Sequence, residues 1–225
     1  ASDVYKRQSN VLSIEQDSFG FVWIATESGL NRFDGKNFVS YKHNRFQSNS
    51  LACNAINKLL IDKEGCLWIA TTHEGLDRYN HETDTFIHYF PTGKKGDISG
   101  PAITDLSLSY NGNIWVATYY DGLNLFDKRQ NKFTHYRVDE NNPNSIRENI
   151  ILKVYEDRQK QLWVGYRTKG LSVLDIESGK AIHFANDPSD PCSLPSNIVL
   201  AILQDRYDNI WICLLYTSDA ADELD

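Results

Sequence analysis

Five tryptophans, Trp23, Trp68, Trp115, Trp163 and Trp211, recur at spacings of 45, 47, 48 and 48 residues, each inside the same short phrase. Twelve positions before each Trp stands a β-branched residue (Val11, Ile56, Ile103, Ile151, Val199), and nine before it an apolar one (Ile14, Leu59, Leu106, Val154, Ile202). Six before it comes Asp17, Asp62, Asp157 or Asp205, with Ser109 as the exception. Three before it comes Gly20, Gly65 or Gly112, with Lys160 and Asp208 departing. After the Trp follow Ile or Val, then Ala or Gly, a Gly-Leu pair opening at Gly29, Gly75, Gly122 or Gly170, and an aromatic doublet. Self-similarity at a period of 20 to 50 residues is the mark of a solenoid, propeller or array.

Each copy reads as four short strands. The first runs to the Asp, as in Val11 to Gln16 or Ile103 to Leu108; the second carries the Trp, as VWIAT at 22–26 and LWIAT at 67–71. The third follows the Gly-Leu pair, as LNRFD at 30–34 and LDRYN at 76–80. The fourth is the doublet Phe38/Tyr41, Phe86/Tyr89 or Phe133/Tyr136, weakening to Ala181/Phe184. Runs of β-branched and aromatic residues bounded by Asp, Gly and Asn are strand signals, and no segment sustains a 3.6-residue period. The expected fold is all-β, because four antiparallel strands per 45 to 48 residues is the arithmetic of a β-propeller blade. The predicted arc has about four four-stranded blades, at 9–43, 54–90, 101–137 and 149–184, plus the start of a fifth at 197–212.

The two ends read differently. ASDVYKRQ, residues 1–8, can be encoded by GCGTCAGATGTGTATAAGAGACAG, and the reverse complement of that string, read from its second base, encodes CLLYTSDA, residues 213–220. Inverted copies of one transposon-library sequencing adapter explain both, so 1–8 and 213–225 are set aside as processing scars. The native insert is then 9–212, open at both sides and consistent with a metagenomic source. The formal charge of the chain is −7; the first segment contributes +1 and the last −4, leaving −4 on the insert. A mildly acidic segment without a basic block is a poor partner for duplex DNA or an anionic membrane, so no direct nucleic-acid contact is expected. Cys53, Cys66 and Cys192 show no metal-ligand spacing, and no metal or cofactor is expected.

A Trp on the second strand of every blade can fill the wedge between neighbouring sheets beside the small Ala25, Ala70, Ala117 or Gly165, a burial worth about 3–5 kcal/mol against Ala. Five identical placements favour packing over ligand stacking. The Asp residues stand one per blade, unlike the closely spaced oxygens of a calcium loop, and suit a tight turn instead.

The phrase D-x-x-G-x-x-W-I-A-T followed by G-L-x-R-F-D and F-x-x-Y resembles the two-component regulator propeller repeat, with instances at 17–41, 62–80 and 110–127. Segments like those the family carries between blades occur as NSLACNAI (49–56), NNPNSIRENI (141–150) and DPCSLPSNI (190–198). The resemblance covers essentially all of 9–212; the fourth copy departs most, with Lys160 for Gly and Tyr166 for Thr. It implies a fragment of a seven-bladed propeller in the periplasmic sensor region of a hybrid two-component system. There further blades, a β-sandwich, a membrane span and a histidine kinase would complete a homodimeric regulator that detects oligosaccharides.

Antiparallel alternation puts the long polar fourth-to-first-strand loops (44–55, 91–102, 137–149, 185–197) on the same face as the second-to-third-strand turns. Those turns vary while the rest repeats, and variable loops on a rigid scaffold are where binding usually sits. Tyr119 and Tyr120 can stack on sugar faces, and His73, Glu74, Asp121, Arg167 and Lys169 can bond hydroxyls or a carboxylate; each is otherwise a solvated turn residue. A catalytic propeller, a glycan lyase or hydrolase, needs a general acid and base, and the six His residues are scattered over turns and outer strands. A protein-interaction scaffold is the other alternative, though the Gly-His and Trp-Asp marks of WD repeats are missing.

Overall fold

The computed structural model describes residues 10–215, so the assignment of 1–8, and of 216–225 within the C-terminal scar, lies outside the described residues. All regular structure among the described residues is β-strand. Blade 1 is β1 (Val11–Gln16), β2 (Val22–Thr26), β3 (Gly29–Phe33) and β4 (Phe38–Tyr41). Blade 2 is β5 (Ile56–Ile61), β6 (Leu67–Thr71), β7 (Leu76–Asn80) and β8 (Thr85–Tyr89). Blade 3 is β9 (Ile103–Leu108), β10 (Ile114–Thr118), β11 (Leu123–Asp127) and β12 (Lys132–Tyr136). Blade 4 is β13 (Ile151–Glu156), β14 (Gln161–Tyr166), β15 (Leu171–Asp175) and β16 (Lys180–Phe184), and β17 (Val199–Gln204) pairs with β18 (Ile210–Leu214) in a two-stranded sheet. Every four-stranded sheet is a sequential antiparallel meander. Cys213 and Leu214 complete β18 opposite Ala201 and Val199.

The sheets are joined by apolar seams between blades. Trp23, Ala25 and Leu30 of blade 1 pack on Ile56, Leu59 and Tyr79 of blade 2 and on Leu51 of the loop that leads into it. Trp68 meets Ile103, Leu106 and Phe126 of blade 3, and Trp115 meets Ile151, Val154 and Tyr166 of blade 4. Trp23, Trp68 and Trp115 are buried and Trp163 is half-buried, whereas Trp211 is 60% exposed because no described sheet lies beyond β17–β18. Where blade 4 meets the two-stranded sheet even a methyl group is too much, since a Cβ on Gly165 would lie 2.6 Å from Val199.

The six-residue Asp-to-Trp spacing has a cause beyond the turn. Asp62 Oδ1 accepts the backbone N–H groups of Glu64 and Cys66, and its Oδ2 accepts the indole N–H of Trp68 at 2.9 Å. Asp17, Asp157 and Asp205 do the same for Trp23, Trp163 and Trp211. One carboxylate thus closes the turn and satisfies a buried donor, which a wedge tryptophan needs. In blade 3, where Ser109 stands, Glu156 of blade 4 accepts from Trp115 instead. The Gly three before each Trp holds φ near +85°, and Lys160 and Asp208 adopt the same left-handed conformation at +64° and +68°. The turn therefore survives both substitutions. The glycine of the Gly-Leu pair is under a second constraint: a Cβ on Gly75 or Gly122 would stand 2.4 Å from the carbonyl oxygen of Tyr89 or Tyr136.

Candidate functional site

The variable turns and long loops share one face, knitted by backbone hydrogen bonds from blade to blade. The N–H of Gly75 donates to Pro101 O, that of Gly122 to Asn149 O and that of Gly170 to Asn197 O, each reaching the loop that leads into the next blade. Thr72, Tyr119 and Arg167 donate from the opening of their turns to Ala55, Ala102 and Ile150. In three blades a buried threonine ties the turn, with Thr71 Oγ1 donating to Gly75 O at 2.7 Å and accepting from Glu74 N. Tyr166 takes that place in blade 4, and its hydroxyl reaches further, donating to Ser172 and accepting from Arg147 N.

A β-bulge recurs near the start of every innermost strand. The pairing register skips Leu12, Asn57, Thr104, Leu152 and Leu200, one in each blade. A bulge re-aims the side chain it frees, and all five line one cleft of about 600 Å³ on the propeller axis. Asn57 Nδ2 and Thr104 Oγ1 also donate across to the carbonyls of Ile103 and Ile151, lacing innermost strands that do not pair with one another.

Four of the seven sequence-predicted residues line two clefts, and Asp121, Arg167 and Lys169 line neither. His73, Tyr119 and Tyr120 reach the axial cleft, where the two tyrosine rings stand edge to face with centroids 4.7 Å apart and Tyr120 is 66% exposed. The Arg167 guanidinium lies 5.4 Å from the Tyr119 ring centroid, a cation–π distance. Glu74 joins His73 in a second cleft of about 670 Å³ between blades 1 and 2, which also takes in Glu27, Arg45, His88 and Phe90. Asp121 is held in its turn by Thr118 and pairs with Arg137 at 3.5 Å. Lys169 is an exposed turn residue that lines neither cleft. Sequence reasoning missed the bulge residues and Lys153. The available signal was a position that varies directly after the invariant β-branched residue.

Beneath this face, Asp105 on β9 accepts from Val154 N, and burial pushes its carboxyl above the ordinary range, opposed by the charges of Lys153 and Lys58. Two pairs on the outer strands mimic catalytic dyads, His88 Nδ1 with Asp77 Oδ1 at 2.7 Å and His183 Nδ1 with Ser172 Oγ at 2.6 Å. Both occupy the same third-to-fourth-strand position, where His135 opposes Asn124 and Ser40 opposes Asn31. Their outer atoms fasten the preceding loop, since Asp77 accepts from Ala52 N and the imidazoles of His88 and His183 reach Ser48 O and Pro143 O. Asp77 and Ser172 are fully buried, so these pairs secure loops and present no nucleophile to a cleft. Among the described residues no group of three or more His, Cys, Asp and Glu is placed to hold a metal ion.

The two-component regulator propeller family model matches residues 6–28, 50–73 and 193–214, each segment spanning an innermost strand, an Asp turn and the Trp strand. A structure of the extracellular domain of the hybrid two-component system BT3049 from B. thetaiotaomicron is 34% identical, with a TM-score of 0.79, over 90% of this chain and 27% of that one. The corresponding domain of BT4673 from the same organism is 23% identical, with a TM-score of 0.74, over 92% of this chain and 29% of that one, and shows the fold alone. A histidine kinase of Formosa agariphila is 47% identical over 45 residues, 20% of this chain and 3% of the kinase. The chain thus spans under a third of each of these relatives. It is an arc of a β-propeller, three segments of which match the two-component regulator propeller model.

Proposed function

We propose that the chain is part of the extracytoplasmic sensing propeller of a hybrid two-component regulator. It binds an oligosaccharide on the face that carries the variable turns and signals to a histidine kinase elsewhere in the polypeptide. The likeness at 34% identity to the extracellular domain of such a system supports the sensor class and the extracytoplasmic location. The observation that carries the binding site is the Tyr119–Tyr120 pair at the axial cleft, with Arg167 over the Tyr119 ring, on turns that differ from blade to blade. Rings that present a flat face beside hydrogen-bonding side chains suit the alternating apolar and hydroxylated faces of a sugar. The rest of the regulator, including its sandwich, membrane span and homodimer contacts, belongs to the same proposal.

Isothermal calorimetry of the extracellular domain containing this chain, against oligosaccharides, tests it. The double variant Tyr120→Ala/Arg167→Ala should weaken binding at least ten-fold, and unchanged affinity would remove the site. Propeller enzymes such as virginiamycin B lyase of Staphylococcus aureus share the fold at 15% identity. Among the described residues lining the axial cleft, His73 has no Asp or Glu beside it to complete an acid–base pair.

A further inference from the structure

The axial cleft is charged in one sense only. The chain has 30 acidic residues against 23 Lys and Arg, yet among the described residues no Asp or Glu lines this cleft, whereas the neighbouring cleft has Glu27 and Glu74. Lys153, half-buried on β13 directly after the bulge at Leu152, is the lining cation. Among the described residues its ammonium has no ion pair, and neither has the Arg167 guanidinium lying over Tyr119. The carboxyl closest in influence, Asp105, is buried below with Val154 N as its partner and faces Lys58 as well as Lys153. Glu148, which the fold brings to the turn that carries Arg167, is engaged by the N–H and hydroxyl of Thr168. Two cations without an ion pair among the described residues, Lys153 in the lining and Arg167 over the Tyr119 ring, therefore flank an aromatic shelf. A half-buried ammonium without a partner strongly favours an incoming anion, because the lowered local dielectric strengthens the attraction.

We infer that the axial cleft selects an acidic saccharide, one whose carboxylate or sulfate is bound by Lys153 and Arg167 while a sugar ring lies on Tyr119 and Tyr120. This rests on the sensor reading and narrows its ligand class. A cationic amino sugar is disfavoured at the same site.

The test is calorimetry on the extracellular domain with uronate-containing oligosaccharides and with the same compounds after reduction of their carboxyl groups to alcohols. The acidic forms should bind at least ten-fold more tightly than their reduced counterparts, the scale of one charge-assisted hydrogen bond. Lys153→Gln should abolish that ratio, Lys153→Arg should keep most of it, and added salt should reduce it. Thermal melts matching wild type show that the variants are folded. Reduced compounds that bind as tightly as the acidic ones, or a ratio untouched by Lys153→Gln, overturn the acidic assignment and leave the sensor reading standing. Binding of neither form overturns both.

Discussion

Removal of the Asp62 carboxylate should be among the most damaging single changes in the propeller. Its side chain is 1% exposed and serves the buried indole of Trp68, two backbone N–H groups of the turn, and the ammonium of Lys128 at 2.9 Å. In Asp62→Ala the indole N–H is left without a partner in a seam that excludes water, at about 1–3 kcal/mol. Lys128, only 18% exposed, retains Glu64 but loses its buried partner. Together with the loosened turn the expected destabilisation is about 3–5 kcal/mol, the range for breaking one side of a buried charged pair. Ser109→Ala, at the equivalent place in blade 3, should cost less than about 1 kcal/mol, because no hydrogen bond runs from Trp115 to Ser109. The loss in that blade should come from Glu156→Ala instead, at about 2–3 kcal/mol, since Glu156 accepts both the Trp115 indole and Tyr110 N. Urea unfolding of the propeller, followed by tryptophan fluorescence, measures all three. Burial raises the Asp62 carboxyl, but the bonds from Trp68, Lys128 and Cys66 outweigh it and hold it below the usual range. Its contribution is therefore complete above the ordinary carboxylate value and is lost as pH falls through the lowered one. Equal losses for Asp62→Ala and Ser109→Ala, or none for Glu156→Ala, would refute the assignment of the carboxylate as the partner of the wedge tryptophan.

Gly75→Ala should destabilise by about 2–3 kcal/mol, since φ is +85° and the new Cβ meets a backbone carbonyl at 2.4 Å; Gly20→Ala, at +89° in open space, should cost about 1 kcal/mol. Comparable denaturation midpoints for the two would show that the close approach carries no energy. The hydrogen bond to Asp77 outweighs burial and raises the His88 imidazole above its ordinary value. The stabilisation it brings should be complete below about pH 6.5 and fade as pH rises through the elevated value. The Tm gap between wild type and His88→Gln should therefore shrink from pH 6 to pH 9, and a gap that widens contradicts the pairing. Residues 9–212 expressed alone should self-associate. Ile14 and Val11 at one end of the arc and Trp211 and Leu203 at the other are more than half exposed on faces that elsewhere form the seams. A monodisperse, cooperatively melting monomer in light scattering and calorimetry would contradict this.

The repeat alone determined the blades, because a strand needs only alternating apolar residues bounded by turn formers, and both are local. Even strand limits such as Val11–Gln16 and Leu67–Thr71 were readable, since Asp, Gly and the Trp phrase punctuate them. The variable turns were visible as the positions where four copies disagree, and the structure sets three of the seven nominated side chains, His73, Tyr119 and Tyr120, at one axial cleft. Tertiary structure decided everything that joins one blade to the next. Glu156 replaces a missing aspartate from 41 residues away, which no pattern within a single repeat contains. The bulges do the same for the cleft: one skipped residue turns Leu12, Asn57, Thr104, Leu152 and Leu200 towards a common axis. That axis exists only once separate sheets are stacked around it, so the site's floor and the lining Lys153 could not be read from any blade alone.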